Sequence, residues 1–136
     1  MRNLVYRFRD RATWGIYVSL TAEAKLSDTP PTAGTHAYGP FWFELESVQL
    51  AGPSLASLVA GCELVGDSIQ EKLDRRFVLI SFEAIDFALT DFQDEGLTAA
   101  MALWLCEEFD VERPLITARY EREDNRYIYE FRRVVR

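Results

Sequence analysis

The chain has 136 residues, 49% of them hydrophobic and 13% aromatic, so it is long enough for one domain over residues 1–136 and too apolar to be disordered. Its formal net charge of −7 disfavours nucleic acid and anionic membranes as partners, because both bind basic surfaces. No apolar run approaches the ~18 residues that a membrane-spanning helix requires.

The charge is distributed unevenly along the chain. Residues 1–13 hold four arginines and one aspartate, and residues 113–136 hold seven arginines and four acidic residues. Residues 14–112 hold four basic and seventeen acidic residues. One interpretation is that the terminal segments lie beside acidic elements and neutralise them.

Three strands are predicted in the first 50 residues. Residues 3–9 and 14–23 alternate between apolar and polar side chains, which indicates a half-buried antiparallel hairpin. Residues 41–50 form a third candidate strand, in which a β-bulge near Ser47 would restore the alternation. Between them, residues 26–40 contain three prolines and two glycines, which predicts a long loop that is either mobile or functional.

Two helices and three further strands are predicted in the remainder. Apolar spacings of three and four residues indicate helices over 54–73 and 92–109, the second with Asp91 as its cap. Buried and alternating patterns indicate strands at 77–87, 115–122 and 127–135. The order β-β-β-α-β-α-β-β predicts an α+β, two-layer sandwich with a mostly antiparallel sheet of about six strands and both helices on one face. The residues expected to form its core are Leu58, Val59, Cys62, Leu79, Ile80, Leu97, Met101 and Trp104.

Both cysteines, Cys62 and Cys106, fall inside apolar helical patterns. Buried free thiols are the favoured interpretation, and they are typical of the reducing cytoplasm. The N-terminus lacks the long apolar segment of a secretory signal, which agrees with a cytoplasmic location.

The sequence contains no recognisable catalytic, cofactor or metal motif. His36, the one histidine, has no nucleophile signature near it in sequence, so a solvated loop residue is expected. The acidic residues between Asp86 and Glu95 do not have calcium-loop spacing, although Asp86 alternates with core residues and is either a buried carboxylate or an exposed strand end. Glu44 and Glu46, two apart on a strand, could cleave glycosidic bonds, but a solvated strand face is the simpler interpretation.

Four acidic residues crowd the end of the second predicted helix: Glu107, Glu108, Asp110 and Glu112. Negative charge is unfavourable there, because the helix dipole is already negative at that end. Either Arg113 and Arg119 offset these charges within the chain, or a basic partner does.

These observations favour a non-catalytic, acidic protein-binding module, such as an immunity-like or antitoxin-like inhibitor that masks a basic protein. Two alternatives remain open, namely an enzyme or ligand carrier with its site under the 26–40 loop, and a structural subunit of a larger assembly. The residues predicted to bind the partner are Trp42, Glu44, Glu46, Glu107, Glu108, Asp110 and Glu112. No cofactor is expected.

Overall fold

A computed structural model describes residues 1–87 and 92–134, and its fold is α+β with two helices and seven strands in the described part of the chain. In chain order the elements are β1 (Arg2–Phe8), β2 (Ile16–Ser27), β3 (Thr35–Tyr38), β4 (Phe41–Glu44), α1 (Gly52–Leu73), β5 (Phe77–Phe87), α2 (Glu95–Phe109), β6 (Leu115–Glu121) and β7 (Arg126–Arg132). The predicted fold class and both helices are confirmed. The predicted cap Asp91 lies outside the described residues.

Five strands form one mixed sheet in the order β1-β2-β5-β4-β3. All neighbouring strands in it are antiparallel except β4 and β5, which are parallel. The other two strands, β6 and β7, form a separate antiparallel hairpin. The single sheet of about six strands predicted from the sequence is therefore divided into two sheets.

The prediction of an unstructured loop over residues 26–40 is partly wrong. β2 continues to Ser27, and β3 lies at the edge of the sheet, where it pairs with β4 alone. Gly34 and Gly39, which flank β3, have positive φ angles of 104° and 53°, and this conformation is readily available to glycine. An edge strand forms ladder hydrogen bonds on one side only, so the four residues between these two glycines are enough to form β3.

The predicted third strand, 41–50, is also shorter than expected. β4 ends at Glu44, and a turn at Glu46 and Ser47 replaces the predicted bulge. The Glu46 backbone N–H donates a 2.6 Å hydrogen bond to Oε1 of Glu44. The side chain that ends the strand thus satisfies a backbone donor of the turn.

A bulge does occur between β2 and β5, and it decides the environment of Asp86. Thr21 pairs with Ala84, whereas Ala22 pairs with Phe82, so Glu83 is an additional residue in β5. The extra residue reverses the alternation along β5. Asp86 consequently lies on the outer face and is exposed. Of the two interpretations, the exposed strand end is confirmed and the buried carboxylate is wrong.

The two helices run side by side in the same direction over one face of the large sheet. Ser54 Oγ donates a 2.9 Å hydrogen bond to the Asp94 carboxylate where the helices begin. A Cβ atom added to Gly61 of α1 would lie 2.7 Å from Cβ of Met101 of α2. The absent side chain therefore permits the close approach of the helices.

The buried core lies between the helices and the sheet. Six of the predicted core residues are fully buried: Leu58, Cys62, Ile80, Leu97, Met101 and Trp104. Val59 is only half-buried, and Leu79 lies on the outer face of the sheet opposite Lys25. The placement of Leu79 in the core is wrong, because β5 presents only alternate residues to the helices in this region. Neither helix of the described residues is long and apolar enough to cross a membrane.

Candidate functional site

The face of the large sheet that carries no helix presents an aromatic and apolar row. Strand register places Lys25, Leu79, Trp42 and His36 side by side across four strands. Trp42 is half-buried, and its ring centroid lies 5.1 Å from that of His36. The row is a partly exposed set of aromatic and aliphatic side chains on an otherwise largely polar face.

An acidic row runs next to the aromatic one. Glu23 and Glu44 both pair with Ser81, one from each side, so the two glutamates share this face. Glu46 follows in the exposed turn. None of the three forms an ion pair within 4 Å with a cation among the described residues, so their charge is available to a partner. We call Trp42, Leu79, Glu23, Glu44 and Glu46 the open-face patch.

Glu44 and Glu46 do not form the pair of facing carboxylates that cleavage of a glycosidic bond would require. Glu46 has left the strand, and Glu44 accepts the hydrogen bond from its backbone. In the part of the chain that the structure describes, no group of three His, Cys, Asp or Glu side chains is arranged to hold a metal ion.

The acidic end of α2 is compensated within the chain. Nε of Arg2 lies 3.1 Å from the Glu108 carboxylate, and an Nη atom of Arg2 lies 3.7 Å from that of Glu107. Arg113 contacts Glu107 at 3.3 Å, as the sequence predicted. Arg119, the other predicted partner, contacts Glu121 instead. Arg2 was not named as a partner of this cluster, but its ion pairs agree with the interpretation that the arginine-rich terminal segments lie beside acidic elements.

A lysine side chain also forms hydrogen bonds with the backbone at the end of α2. Nζ of Lys72 donates hydrogen bonds of 3.1 and 2.6 Å to the carbonyl oxygens of Phe109 and Asp110. A lysine at this position favourably opposes the negative end of the helix dipole. Asp110 and Glu112 are exposed and make no ion pair within residues 1–87 and 92–134.

The two predicted acidic clusters do not form one surface. The end of α2 contacts β1, at one edge of the sheet, whereas Trp42 and Glu44 belong to β4, near the other edge. Three strand spacings separate β1 from β4, or about 14 Å. A partner bound at the open-face patch would thus contact a surface separate from the end of α2.

A cavity of about 350 Å³ lies beside the segment that joins β2 to β3, lined by Lys25, Leu26, Ser27, Pro31, Thr32, Ala33 and Leu79. Lys25 is its one ionisable lining residue. His36 does not line it, and Nε2 of His36 lies 2.8 Å from the carbonyl oxygen of Gly39. The cavity suits a small ligand, but its lining residues do not form a recognisable catalytic arrangement.

A second cavity, of about 530 Å³, lies at the end of the sheet where β1 turns into β2. Arg7, Arg9, Trp14 and Tyr17 are among its lining residues. Sequence reasoning predicted a strand over residues 3–9 but did not identify Arg7 and Arg9 as a site. The available signal was a pair of arginines two residues apart, followed shortly by the aromatic residues Trp14 and Tyr17.

Both thiols are free and buried, as predicted. Burial raises the pKa of the Cys106 thiol to about 11, and burial also raises that of Cys62. A neutral thiol is a poor nucleophile, so these environments do not activate either cysteine.

Comparison with known proteins returned no matching family model, no matching curated protein and no matching solved structure.

Proposed function

We propose that the protein is a non-catalytic binding module of the cytoplasm that holds a basic partner protein on the open-face patch, as an immunity-like or antitoxin-like inhibitor would. The observation that carries this proposal is the position of Trp42. Its ring lies half-exposed on the helix-free face, beside acidic side chains that form no ion pair within the described residues. Aromatic residues are enriched among the side chains that dominate binding energy at protein interfaces.

The electrostatics of the patch supports a basic partner. Glu44 lies two residues from Trp42 on β4, and Glu23 lies two residues from Lys25 on β2, so both are in the side-chain row next to that of Trp42. Glu46 extends the negative charge beyond the strand. The chain as a whole carries a net charge of −7. Negative charge beside an aromatic residue accelerates association with a positively charged surface and disfavours acidic partners.

The end of α2 is the weaker of the two predicted contact surfaces. The unfavourable charge at the end of α2 predicts a compensating partner, but Arg2, Arg113 and Lys72 already supply that compensation within the chain. Of the four residues, Asp110 and Glu112 remain available. We therefore assign the partner contact to the open-face patch.

A second candidate function is a small-ligand carrier. The cavity of about 350 Å³ beside the β2–β3 connection supports it, since that volume lies near the lower end of the range for ligand sites. Lys25 would fix the orientation of a ligand with an acidic group. The lining includes Leu79, so a ligand there would also affect binding at the open-face patch.

The experiment starts with capture of partners from the source cell by wild-type protein, followed by purification of the captured protein. We expect a basic protein whose association rate falls as ionic strength rises. Trp42→Ala and the double variant Glu44→Lys/Glu46→Lys should each weaken its binding at least about tenfold, as expected for a central interface residue. Circular dichroism would verify that both variants fold.

The matched control is Glu107→Lys/Glu108→Lys, which reverses the same number of charges at the end of α2. We expect this variant to bind the partner nearly as well as the wild type. If the control loses binding and the open-face variants retain it, the contact surface has been assigned to the wrong cluster. Binding that is insensitive to salt and to all three variants would refute the acidic binding module.

A further inference from the structure

The cavity between the ends of β1 and β2 has the chemistry of an anion site. It measures about 530 Å³ and is lined by Arg7, Phe8, Arg9, Thr13, Trp14, Gly15, Ile16 and Tyr17. The two lining residues that carry a charge at neutral pH are Arg7 and Arg9. It lies at the opposite end of β2 from the open-face patch: at the rise of a β-strand, Tyr17 is about 20 Å from Glu23 and about 27 Å from Lys25.

Neither arginine has its charge neutralised by the chain. Within the described residues, no carboxylate lies within 4 Å of the guanidinium of Arg7 or Arg9. Nε of Arg9 donates a 2.8 Å hydrogen bond to the carbonyl oxygen of Ala12, which fixes the side chain and uses only one of its five donors. The terminal nitrogens remain available to a carboxylate or phosphate, which a guanidinium can bind with two parallel hydrogen bonds.

Aromatic rings complete the walls of the cavity. Arg7 lies over the ring of Tyr17, with 5.1 Å between Cζ and the ring centroid. The indole of Trp14 is held by a 2.9 Å hydrogen bond from Nε1 to Asn125 and by an edge contact with Tyr127 at 5.1 Å. These contacts position Trp14 before any ligand arrives, which lowers the entropic cost of binding.

The surroundings add positive charge. Arg11 and Arg122 line a neighbouring cavity of about 510 Å³ together with Asp10 and Tyr120. The carboxylate of Asp10 accepts a 3.0 Å hydrogen bond from the backbone N–H of Tyr120, so this acidic group is engaged by the hairpin. The turn of the same hairpin, which contacts Trp14 through Asn125, also carries Glu123 and Asp124, so the positive charge that an anion would meet first is that of Arg7 and Arg9, which line the cavity.

We propose that the cavity binds a small organic anion in which a phosphate or carboxylate group adjoins a planar ring. The anionic group would lie between the guanidiniums of Arg7 and Arg9. The planar ring would contact Trp14 or Tyr17. This site is separate from the open-face patch, and it does not depend on the function proposed for that patch.

Titration calorimetry and NMR chemical shifts of the wild-type protein test the proposal with four probes. ADP joins a phosphate to a ring, benzoate joins a carboxylate to a ring, pyrophosphate has no ring and adenosine has no charge. We expect ADP or benzoate to bind more tightly than both single-feature probes and to shift the Trp14 indole N–H resonance. The stronger of the two identifies the anionic group. No binding of ADP or benzoate up to 10 mM, or equal binding of ADP, pyrophosphate and adenosine, would overturn the proposal.

The variant Arg7→Ala should weaken the binding of the tighter probe about 10- to 100-fold, the usual effect of losing a charge-assisted hydrogen bond. The matched control is Arg132→Ala, which removes the same charge from the exposed end of β7, where Arg132 contacts Glu130. Trp42→Ala should leave the affinity unchanged. Equal weakening by Arg7→Ala and Arg132→Ala would show a nonspecific charge effect and overturn the site.

Discussion

The hydroxyl of Tyr127 donates a 2.7 Å hydrogen bond to the carbonyl oxygen of Trp14, a residue more than one hundred positions earlier in the chain. The same hydroxyl accepts a 3.1 Å hydrogen bond from the backbone N–H of Asp10, and Tyr127 is fully buried. This one side chain therefore fastens the C-terminal hairpin to the turn between β1 and β2.

Tyr127→Phe is expected to lower the free energy of unfolding by about 1–3 kcal/mol. The ring contacts remain, but two partly buried backbone groups lose their hydrogen-bond partner. Urea denaturation measures the change. Tyr17→Phe is the control, and it should cost less than about 0.5 kcal/mol because Tyr17 is only half-buried on the open face. Equal costs for the two variants would show that the Tyr127 hydroxyl does not fasten the hairpin.

Gly61→Ala should destabilise the protein by about 1–3 kcal/mol, even though alanine favours helices more than glycine does. The new methyl group would lie 2.7 Å from Cβ of Met101 and 2.9 Å from the carbonyl oxygen of Thr98. Thermal unfolding measures the effect. Gly52→Ala serves as the control, because nothing lies within 4 Å of a Cβ atom at that position. A Gly61→Ala variant as stable as the wild type would mean that the helices can separate at little cost.

Trp104→Ala should remove about 3–5 kcal/mol of stability, the usual cost of deleting a buried aromatic side chain. Trp104 is fully buried, and its indole N–H donates a 3.1 Å hydrogen bond to the carbonyl oxygen of Arg2. Denaturant unfolding followed by far-ultraviolet circular dichroism measures the loss. A cost below about 1 kcal/mol would mean that α2 is not central to the core.

Reversal of charge should affect stability differently at the two acidic clusters. Glu107→Lys/Glu108→Lys loses the ion pairs with Arg2 and Arg113. Since these pairs are partly exposed, we expect a loss of about 1–2 kcal/mol that becomes smaller at high salt. Glu23→Lys/Glu46→Lys should change stability by less than about 0.5 kcal/mol, because both residues are exposed. The opposite ranking in urea denaturation would contradict the internal neutralisation of α2.

The buried thiol of Cys106 should make stability depend on alkaline pH. Its pKa rises from 9.0 to about 11 on folding, so the unfolded chain loses the proton first. The contribution of the neutral thiol to the free energy of unfolding is thus fully present below pH 9 and is lost as the pH rises from 9 to 11. The loss is on the order of 2 kcal/mol. Tyr6 and Tyr129, whose pKa values burial also raises, act in the same direction.

The contribution of Cys106 is isolated by comparing wild type with Cys106→Ala in urea denaturation between pH 7 and 11. We expect the stability difference between the two proteins to decrease above pH 9. A difference that stays constant over the whole range would show that the thiol does not titrate differently in the folded protein.

Local pattern in the sequence determined the helices and most strands. The spacing of Leu58, Cys62, Val65 and Ile69 marks the buried side of α1, because residues three and four apart share one face of a helix. Alternation over 14–23 likewise marks β2. The same local information placed Trp42 and Glu44 on one strand face.

Only the tertiary structure decided the features that depend on strand pairing. The bulge at Glu83 turns Asp86 to solvent, and β3 forms because β4 offers it an unpaired edge. Neither event leaves a distinct signal in single-sequence periodicity. Arg2 contacts the end of α2 because the β1–β2 hairpin packs beside that helix. The same hairpin forms one cavity that is lined by Arg7, Arg9, Trp14 and Tyr17. Contacts between residues far apart in sequence depend on long-range packing. Residue types and spacings could therefore indicate an acidic surface, but they could not show which of its acidic side chains form ion pairs and which do not.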